Sequence, residues 1–474
     1  MDDENSTTPL VSKADQFSSL EVTIEECIGG FGWIQFLHVV LVSFVWTFDS
    51  QQTFITIFTD AQPTWHCLPG YSCNSNICLL PKNSWSWNMP RHASIVSEWS
   101  HECDSSLIIG LPTSSFYLGT LVGGFLLVSL ADSSFGRKNT MLLSCMVMSI
   151  SGLLTTLSTN IWIYSVLRFI SGFGKATMGT CSLVLSSELV GKKYRGLLYC
   201  LLVYLFVHES PRWLFIQGRK EDFLKTLKSI APKRKGNIVT LASVSNISFE
   251  QKSETVNMYS SIKMLFERKW AIRRLIAAMV VGFGVGLVYY GLPLVVENLN
   301  FSIYLSTVLN ALSEFPATLV TYFIIGKAKR RNAIFILTTL CSICSLICVI
   351  TSSSKWKGVQ VAMELVSFFS VCTAFDVLLI YTLELFPTCI RNSGVTIVRQ
   401  IMVAGGATSP VLVGRGKGLV SYLVFGFTIG ICGVFVMWLP ETRGDTTCDT
   451  LDEEERKESE RADELPDNQD VLLA

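Results

Sequence analysis

Charge is scarce in this sequence. Only 16% of its 474 residues are Asp, Glu, Lys or Arg, against roughly 25% in soluble globular proteins, and 38 basic side chains are balanced by 38 acidic ones. No basic excess exists to displace counterions from phosphates, so the chain has no electrostatic footprint for nucleic acid. Histidine is scarcer still, with five residues spread along the chain. No Ser/His/Asp set and no metal-ligand cluster can be assembled from them, so neither an enzyme nor a resident cofactor or metal is expected. Met1–Glu26 is polar and lacks an early apolar stretch, which argues against a cleavable signal and for a first span that acts as an uncleaved anchor.

What the chain has instead is oil. Hydrophobic residues make up 49% and the mean hydropathy is +0.42. Ten continuous apolar runs stand out, at Trp33–Ile57, Leu107–Leu130, Thr140–Leu157, Ile161–Val190, Leu275–Val296, Phe301–Ile325, Ile334–Ile350, Val361–Phe386, Val395–Val413 and Leu419–Leu439. Most approach or exceed the roughly 20 residues a helix needs to cross ~30 Å of hydrocarbon. Continuity rather than alternation favours helices over barrel strands. The expected fold class is therefore an all-α polytopic membrane protein.

Lys and Arg collect in alternate loops, at Arg137/Lys138, Lys192/Lys193/Arg195, the series from Arg212 to Arg274, Lys327 to Arg331, and Arg391. The bias of positive charge toward the cytoplasm puts both termini on that side. The segment from about residue 60 to 106 is then extracytoplasmic, and it holds Cys67, Cys73, Cys78 and Cys103. In an oxidising compartment these predict two disulfides in one of three connectivities. A zinc site at Cys73/Cys78 lacks the further ligands a tetrahedral set requires.

Repetition divides the chain. Glu188-Leu, five residues, Arg195 recurs as Glu384-Leu, five residues, Arg391, and the basic turn Asp132…Gly136-Arg137-Lys138 has a relative in Gly326…Arg330-Arg331. Two like bundles follow, 28–208 and 275–444, joined by a basic cytoplasmic link, 209–274, and flanked by an N-terminal tail, 1–27, and an acidic C-terminal tail, 445–474. Such parallel repeats enclose a substrate site at their interface. The halves are unequal. Glu384 lies 57 residues before Glu441, whereas Glu188 lies only 21 before Glu209. About 36 residues are thus missing near 196–208, and the remnant Leu197–Val207 would make a helix of only ~17 Å. The expectation is about ten full spans plus a short stub, with a splicing or gene-model truncation explaining the gap more simply than a designed feature.

The turn Leu130-Ala131-Asp132-Ser133-Ser134-Phe135-Gly136-Arg137-Lys138, the span Arg168…Gly172-Phe173-Gly174, Glu209-Ser210-Pro211-Arg212-Trp213-Leu214 and Glu384-Leu385-Phe386-Pro387-Thr388…Arg391-Asn392 together resemble the major facilitator superfamily. Within it they are similar to the organic cation/carnitine transporters, in particular the plant-type branch with its short cysteine-bearing first loop. The resemblance implies a two-bundle fold of twelve spans, alternating access, and uptake of organic cations or zwitterions such as carnitine or polyamines, often coupled to a proton or sodium gradient. Cation-carrying members often have Asp, and anion-carrying members Arg, two residues before a Gly-Gly pair; before Gly405-Gly406 this chain has Val403.

Residue chemistry suggests where such a solute binds. Ionisable groups inside spans are costly unless they face a cavity or a partner, and Asp49, Glu314, Asp376 and Arg399 are the candidates. Asp376 beside Phe375, with Tyr381 further along, can hold an amine through Coulomb and cation–π attraction. Ser306, Asn310, Glu314 and Thr318 recur every four residues as one polar stripe, and Asp49 with Gln52 and Thr53 makes a shorter one. Arg399 can pair with a carboxylate or hold that of a zwitterion. Gating is assigned to Asp132, Gly136, Arg137, Lys138, Glu188, Arg195, Glu384 and Arg391, charges at helix ends that can pair in one state and part in the other. Two rivals remain: a proton-coupled sugar carrier, and a truncated, non-transporting membrane protein. The partners expected are the lipid bilayer and the solute; oligomeric state is open, as is the choice between plasma and vacuolar membrane.

Overall fold

The computed structural model describes residues 47–70, 77–132, 137–178, 221, 225, 265–295, 303–351, 357–413, 418–443 and 454–456. Glu188, Arg195, Gly136, Cys73, the stub at 196–208 and nearly all of the link lie outside the described residues. Nine long helices follow one another: α1 (Leu111–Asp132), α2 (Arg137–Thr155), α3 (Ile161–Lys175), α4 (Lys269–Val295), α5 (Ile303–Lys327), α6 (Arg330–Ile350), α7 (Lys357–Leu385), α8 (Thr388–Leu412) and α9 (Gly418–Val434). Each overlaps an apolar run, most to within a few residues; α8 starts seven residues before its run, and the run Ile161–Val190 is described as helix only to Lys175. A further helical stretch occupies 47–54. Helices α4 to α9 supply the six stretches long and apolar enough to cross a membrane among the described residues, while the apolar parts of α1 and α2 are shorter.

Contacts group the chain into two units. One comprises Phe54–Gly124, Ser149–Phe173 and Val256–Ala474. Its core is the packing of α4 on α8, of α6 on α7 and α9, and of α5 on α7. The α4–α8 crossing depends on glycine: a Cβ on Gly286 would lie 2.1 Å from the Met402 carbonyl oxygen, and one on Gly405 would lie 2.5 Å from that of Phe283. Without strong hydrophobic drive between helices in lipid, such backbone-close contacts supply the van der Waals attraction. The outer face of α5, with Leu305, Leu312, Phe315, Leu319 and Tyr322 exposed, is an apolar surface suited to contact with lipid. In the same unit the segment 60–106 carries a two-stranded antiparallel hairpin, β1 (Trp65–Cys67) against β2 (Trp85–Trp87). A disulfide joins Cys78 to Cys103 and Cys67 is also disulfide-bonded, in keeping with an oxidising compartment.

The second unit comprises Met1–Thr53, Phe125–Met148 and Gly174–Thr255. Here Lys175 forms a salt bridge with Asp49 at 3.1 Å, both nearly buried, and also reaches the Thr53 hydroxyl. Gly174 lets its backbone approach that of Ser144 and Met148, and Ser144 shares a hydrogen bond of 2.7 Å with Thr177. The Gly172–Thr177 stretch thus serves close packing and an internal ion pair.

Candidate substrate site and the helix-end charge network

Two carboxylates lie within the spans of α5 and α7, near enough for one to act on the other. Glu314 of α5 and Asp376 of α7 are both half-buried and act electrostatically on each other. Neither forms an ion pair with any described residue. Around them stands a group of rings. Tyr289 of α4 donates its hydroxyl to Glu314 Oε1 at 3.1 Å, and its ring lies 4.6 Å from Phe375 and 6.1 Å from Phe368, centroid to centroid. Tyr290 packs against Tyr289 at 4.9 Å and Tyr117 at 4.8 Å. Val403 belongs to the apolar cluster of Phe116, Tyr117 and Ala407 that Tyr290 covers. The valine is therefore packed among aromatic side chains.

This arrangement has a definite chemistry. Uncompensated carboxylates within a span are stable only where a cavity, water or a counter-cation reaches them, and rings at 4.6 to 6.1 Å spacing offer π faces to a desolvated cation. Pro316, inside α5, removes the N–H that would bond to the Leu312 carbonyl, loosening the helix beside Glu314.

Other sequence-derived candidates lie elsewhere or have different partners. Tyr381 is fully buried, and its hydroxyl donates to the Pro440 carbonyl at 2.5 Å. Asn310 is bonded to a carboxylate rather than open: its Nδ2 donates to Glu364 Oε1 at 3.0 Å. The four-residue stripe does not stay on one face. Ser306 and Asn310 are buried, Glu314 is half-buried and Thr318 is exposed, because each four-residue step over-rotates a 3.6-residue helix by ~40°. Asp49 is held by Lys175, and Gln52 is half-buried on the same stretch. Arg399 is half-buried in α8 and makes no hydrogen bond or ion pair with any described residue.

Residues that the sequence reading passed over are Glu364, Tyr289, Tyr290 and Arg168. Glu364 falls near the start of its apolar run, where an acid reads as a span boundary. The tyrosines look like ordinary span residues until α5 and α7 are set beside α4. Arg168 is buried, lies 4.4 Å over the Phe116 ring, and acts on Asp60. Asp60, at the start of the 60–106 segment, accepts hydrogen bonds from Thr113 and Thr59 at 2.8 Å each. Burial pushes its carboxyl above the usual range, against the lowering effect of the Arg168 guanidinium.

The opposite end of α5, α6 and α7 holds the gating candidates. Glu384 is gripped by Arg330 through two hydrogen bonds, 3.2 Å from Nε and 3.1 Å from Nη2, and Thr442 donates to it at 2.6 Å. The same guanidinium donates to the Ile325 and Ala328 carbonyls at 2.6 and 3.1 Å, tying down the end of α5. Glu441 accepts from the first amides of α6, Arg330 N at 2.8 Å and Arg331 N at 3.2 Å, as anions do at helix N-termini. Arg391 does not pair with Glu384; its Nε donates to the Phe386 carbonyl at 3.2 Å. Spacing alone brings Glu384 and Arg391 near each other, but the Pro387 turn between α7 and α8 directs the arginine at the end of its own turn. Of the corresponding first-half residues, Asp132, Arg137 and Lys138 are placed only as backbone at the end of α1 and the start of α2.

A family model described as "Sugar (and other) transporter" matches residues 197–451, and one described as "Major Facilitator Superfamily" matches residues 93–206. Organic cation/carnitine transporter 3 of Arabidopsis thaliana is 49% identical, with 96% of this chain and 98% of that protein aligned. Organic cation/carnitine transporter 2 of the same plant is 46% identical over 95% and 97%. The chain belongs to the organic cation/carnitine transporter family of the major facilitator superfamily. The first alignment runs over 513 residues while taking in 96% of this 474-residue chain, so the relative has stretches with no counterpart here. Among solved structures, the proton:xylose symporter XylE bound to 6-bromo-6-deoxy-D-glucose matches with a TM-score of 0.52 at 16% identity, over 92% of this chain and 98% of that one. A partially occluded inward-open form of XylE from E. coli matches equally, at 0.52 and 16%, over 92% and 100%. At that identity the likeness establishes the fold, an all-α major-facilitator architecture. The chain is thus a multi-pass membrane protein of a transporter family.

Proposed function

We propose that this transporter moves a small organic cation or zwitterion, of the carnitine or polyamine type, by alternating access, with Glu314 and Asp376 as its counter-charges. The observation that carries the reading is that these two intramembrane carboxylates share one aromatic group and have no cationic partner among the described residues. A solute amine would supply the missing charge while Tyr289, Tyr290 and Phe375 face its alkyl or methyl groups. The names of the Arabidopsis relatives support the same class of solute. Arg399, half-buried and without a partner among the described residues, would take the carboxylate of a zwitterion. Grip of Arg330 on Glu384 and of Glu441 on the α6 N-terminus would act as the latch at the basic, cytoplasmic end.

A sugar carrier fits less well, since a neutral polyol leaves two carboxylates uncompensated. The test is uptake of radiolabelled carnitine and putrescine by proteoliposomes containing the purified chain. Saturable uptake of either, lost in Asp376→Asn, supports the reading; uptake of hexose alone overturns it. The non-transporting alternative draws on the missing residues. Amplifying the transcript across the codons for Arg195–Leu197 separates a real short form from an artefact, and absence of uptake by a confirmed short form would favour it.

A further inference from the structure

Glu364 lies two turns into α7 and is fully buried. Its Oε1 accepts from Asn310 Nδ2 at 3.0 Å, while Glu364 Oε2, Asn310 Oδ1 and the Tyr422 hydroxyl, all buried, have no partner. The groups that face this carboxyl are Asn310 from α5, Cys348 from α6, Tyr422 from α9 and Cys372 two turns along α7 itself. Helices α4 and α8 bring no ionisable group that acts on it, and no described Lys or Arg pairs with it. Ser345 and Ser367, one turn further along, bond to each other at 2.8 Å. A bonded acid–amide pair therefore carries two spare acceptor atoms, sealed from water, that receive no hydrogen bond from any described residue, the nearby Tyr422 hydroxyl included. Buried acceptors without donors are rare because each forfeits its hydration.

We propose that Glu364 is a proton-binding site of the transport cycle, separate from the substrate site, and that it holds a proton in this conformation. Protonated, Oε2 becomes a donor toward the spare acceptors, and no charge is buried without a partner. A metal cation is the poorer occupant. Three spare oxygens fall short of the six or so a hard cation takes, and the Asn310 amide N–H already points at the carboxyl. The site is placed to couple. Asn310 and Glu314 are one turn apart on α5, and Glu364 and Asp376 both lie on α7, so the proton site and the substrate site bridge the same two helices. Release of the proton from Oε2 to water leaves a carboxylate that must be hydrated. Admitting water there means parting α5 from α7, which changes the separation of Glu314 and Asp376. This inference rests on the transporter reading but not on which solute is carried.

Infrared spectroscopy of the purified full chain, in acidic and alkaline buffers, tests the proton directly and needs no substrate. A protonated-carboxyl C=O band is expected at neutral pH, absent in Glu364→Gln and retained in a Glu314→Gln/Asp376→Asn double variant. Asn310→Ser, which keeps the acid and weakens its partner, should move the band to higher frequency. A band that survives in Glu364→Gln, or that disappears when sodium replaces choline at constant pH, overturns the proposal. In proteoliposomes, an imposed inward proton gradient should raise labelled-carnitine or putrescine accumulation several-fold in the native chain, and Glu364→Gln should abolish that stimulation. Uptake that responds to the gradient equally in both overturns the coupling role. If neither solute is carried while the band behaves as expected, it is the substrate reading that fails and the proton site that stands.

Discussion

Acids within one unit meet opposite fates. At the basic end, Glu384 is saturated by Arg330 and Thr442, and Glu441 caps α6. Farther along α5 and α7, Glu314 and Asp376 have a tyrosine hydroxyl and each other. A satisfied network holds helix ends in register; an unpaired set of acids is what the proposed solute cation would neutralise. The contrast separates acids that are paired from acids that are not, which residue type alone does not do, since all four are carboxylates in or near spans.

The sharpest way to break the comparison is to neutralise each set. The double variant Glu314→Gln/Asp376→Asn should lose about 100-fold or more in cation uptake, and each single variant about tenfold, as expected when an opposed charge is removed. Its detergent-solubilised yield should stay near native. Removing one partner of a largely buried pair costs about 3 kcal/mol, so Arg330→Ala should lower thermal stability and yield, and Arg330→Glu/Glu384→Arg should recover part of the loss. Should Arg330→Ala instead abolish uptake with stability intact, the network belongs to the transport step and the distinction fails. A smaller effect sharpens the substrate class: Arg399→Ala should cut carnitine uptake about fivefold while leaving putrescine uptake unchanged. Smallest is Tyr289→Phe, which removes one hydrogen bond worth about 1 kcal/mol and should raise KM about fivefold with little change in maximal rate.

Much of the fold was legible because lipid imposes one rule on every span. Backbone groups must be satisfied internally, so a continuous apolar run becomes a helix whatever its neighbours, and α1 to α9 fall where the runs do. The mid-span acid Asp376 was legible for the same reason, its cost in lipid marking it out. Its neighbours were not. Tyr289 reaches Glu314 from 25 residues away in sequence, and the meeting requires α4, α5 and α7 to share one crossing. Glu384 and Arg391 illustrate the reverse: both are helix-end gating candidates by sequence, yet the partner of Glu384 is Arg330, 54 residues distant, and Arg391 bonds to the Phe386 carbonyl.

The sequence by itself determined that this is a helical membrane protein of two related halves, one of them shortened, because hydrophobic length and motif spacing are properties of the linear chain. Only the tertiary structure decided which charges are spent on one another and which are left open. Pairing depends on helix rotation and crossing: a few tens of degrees carry Thr318 out to the surface while Asn310 turns inward to meet Glu364.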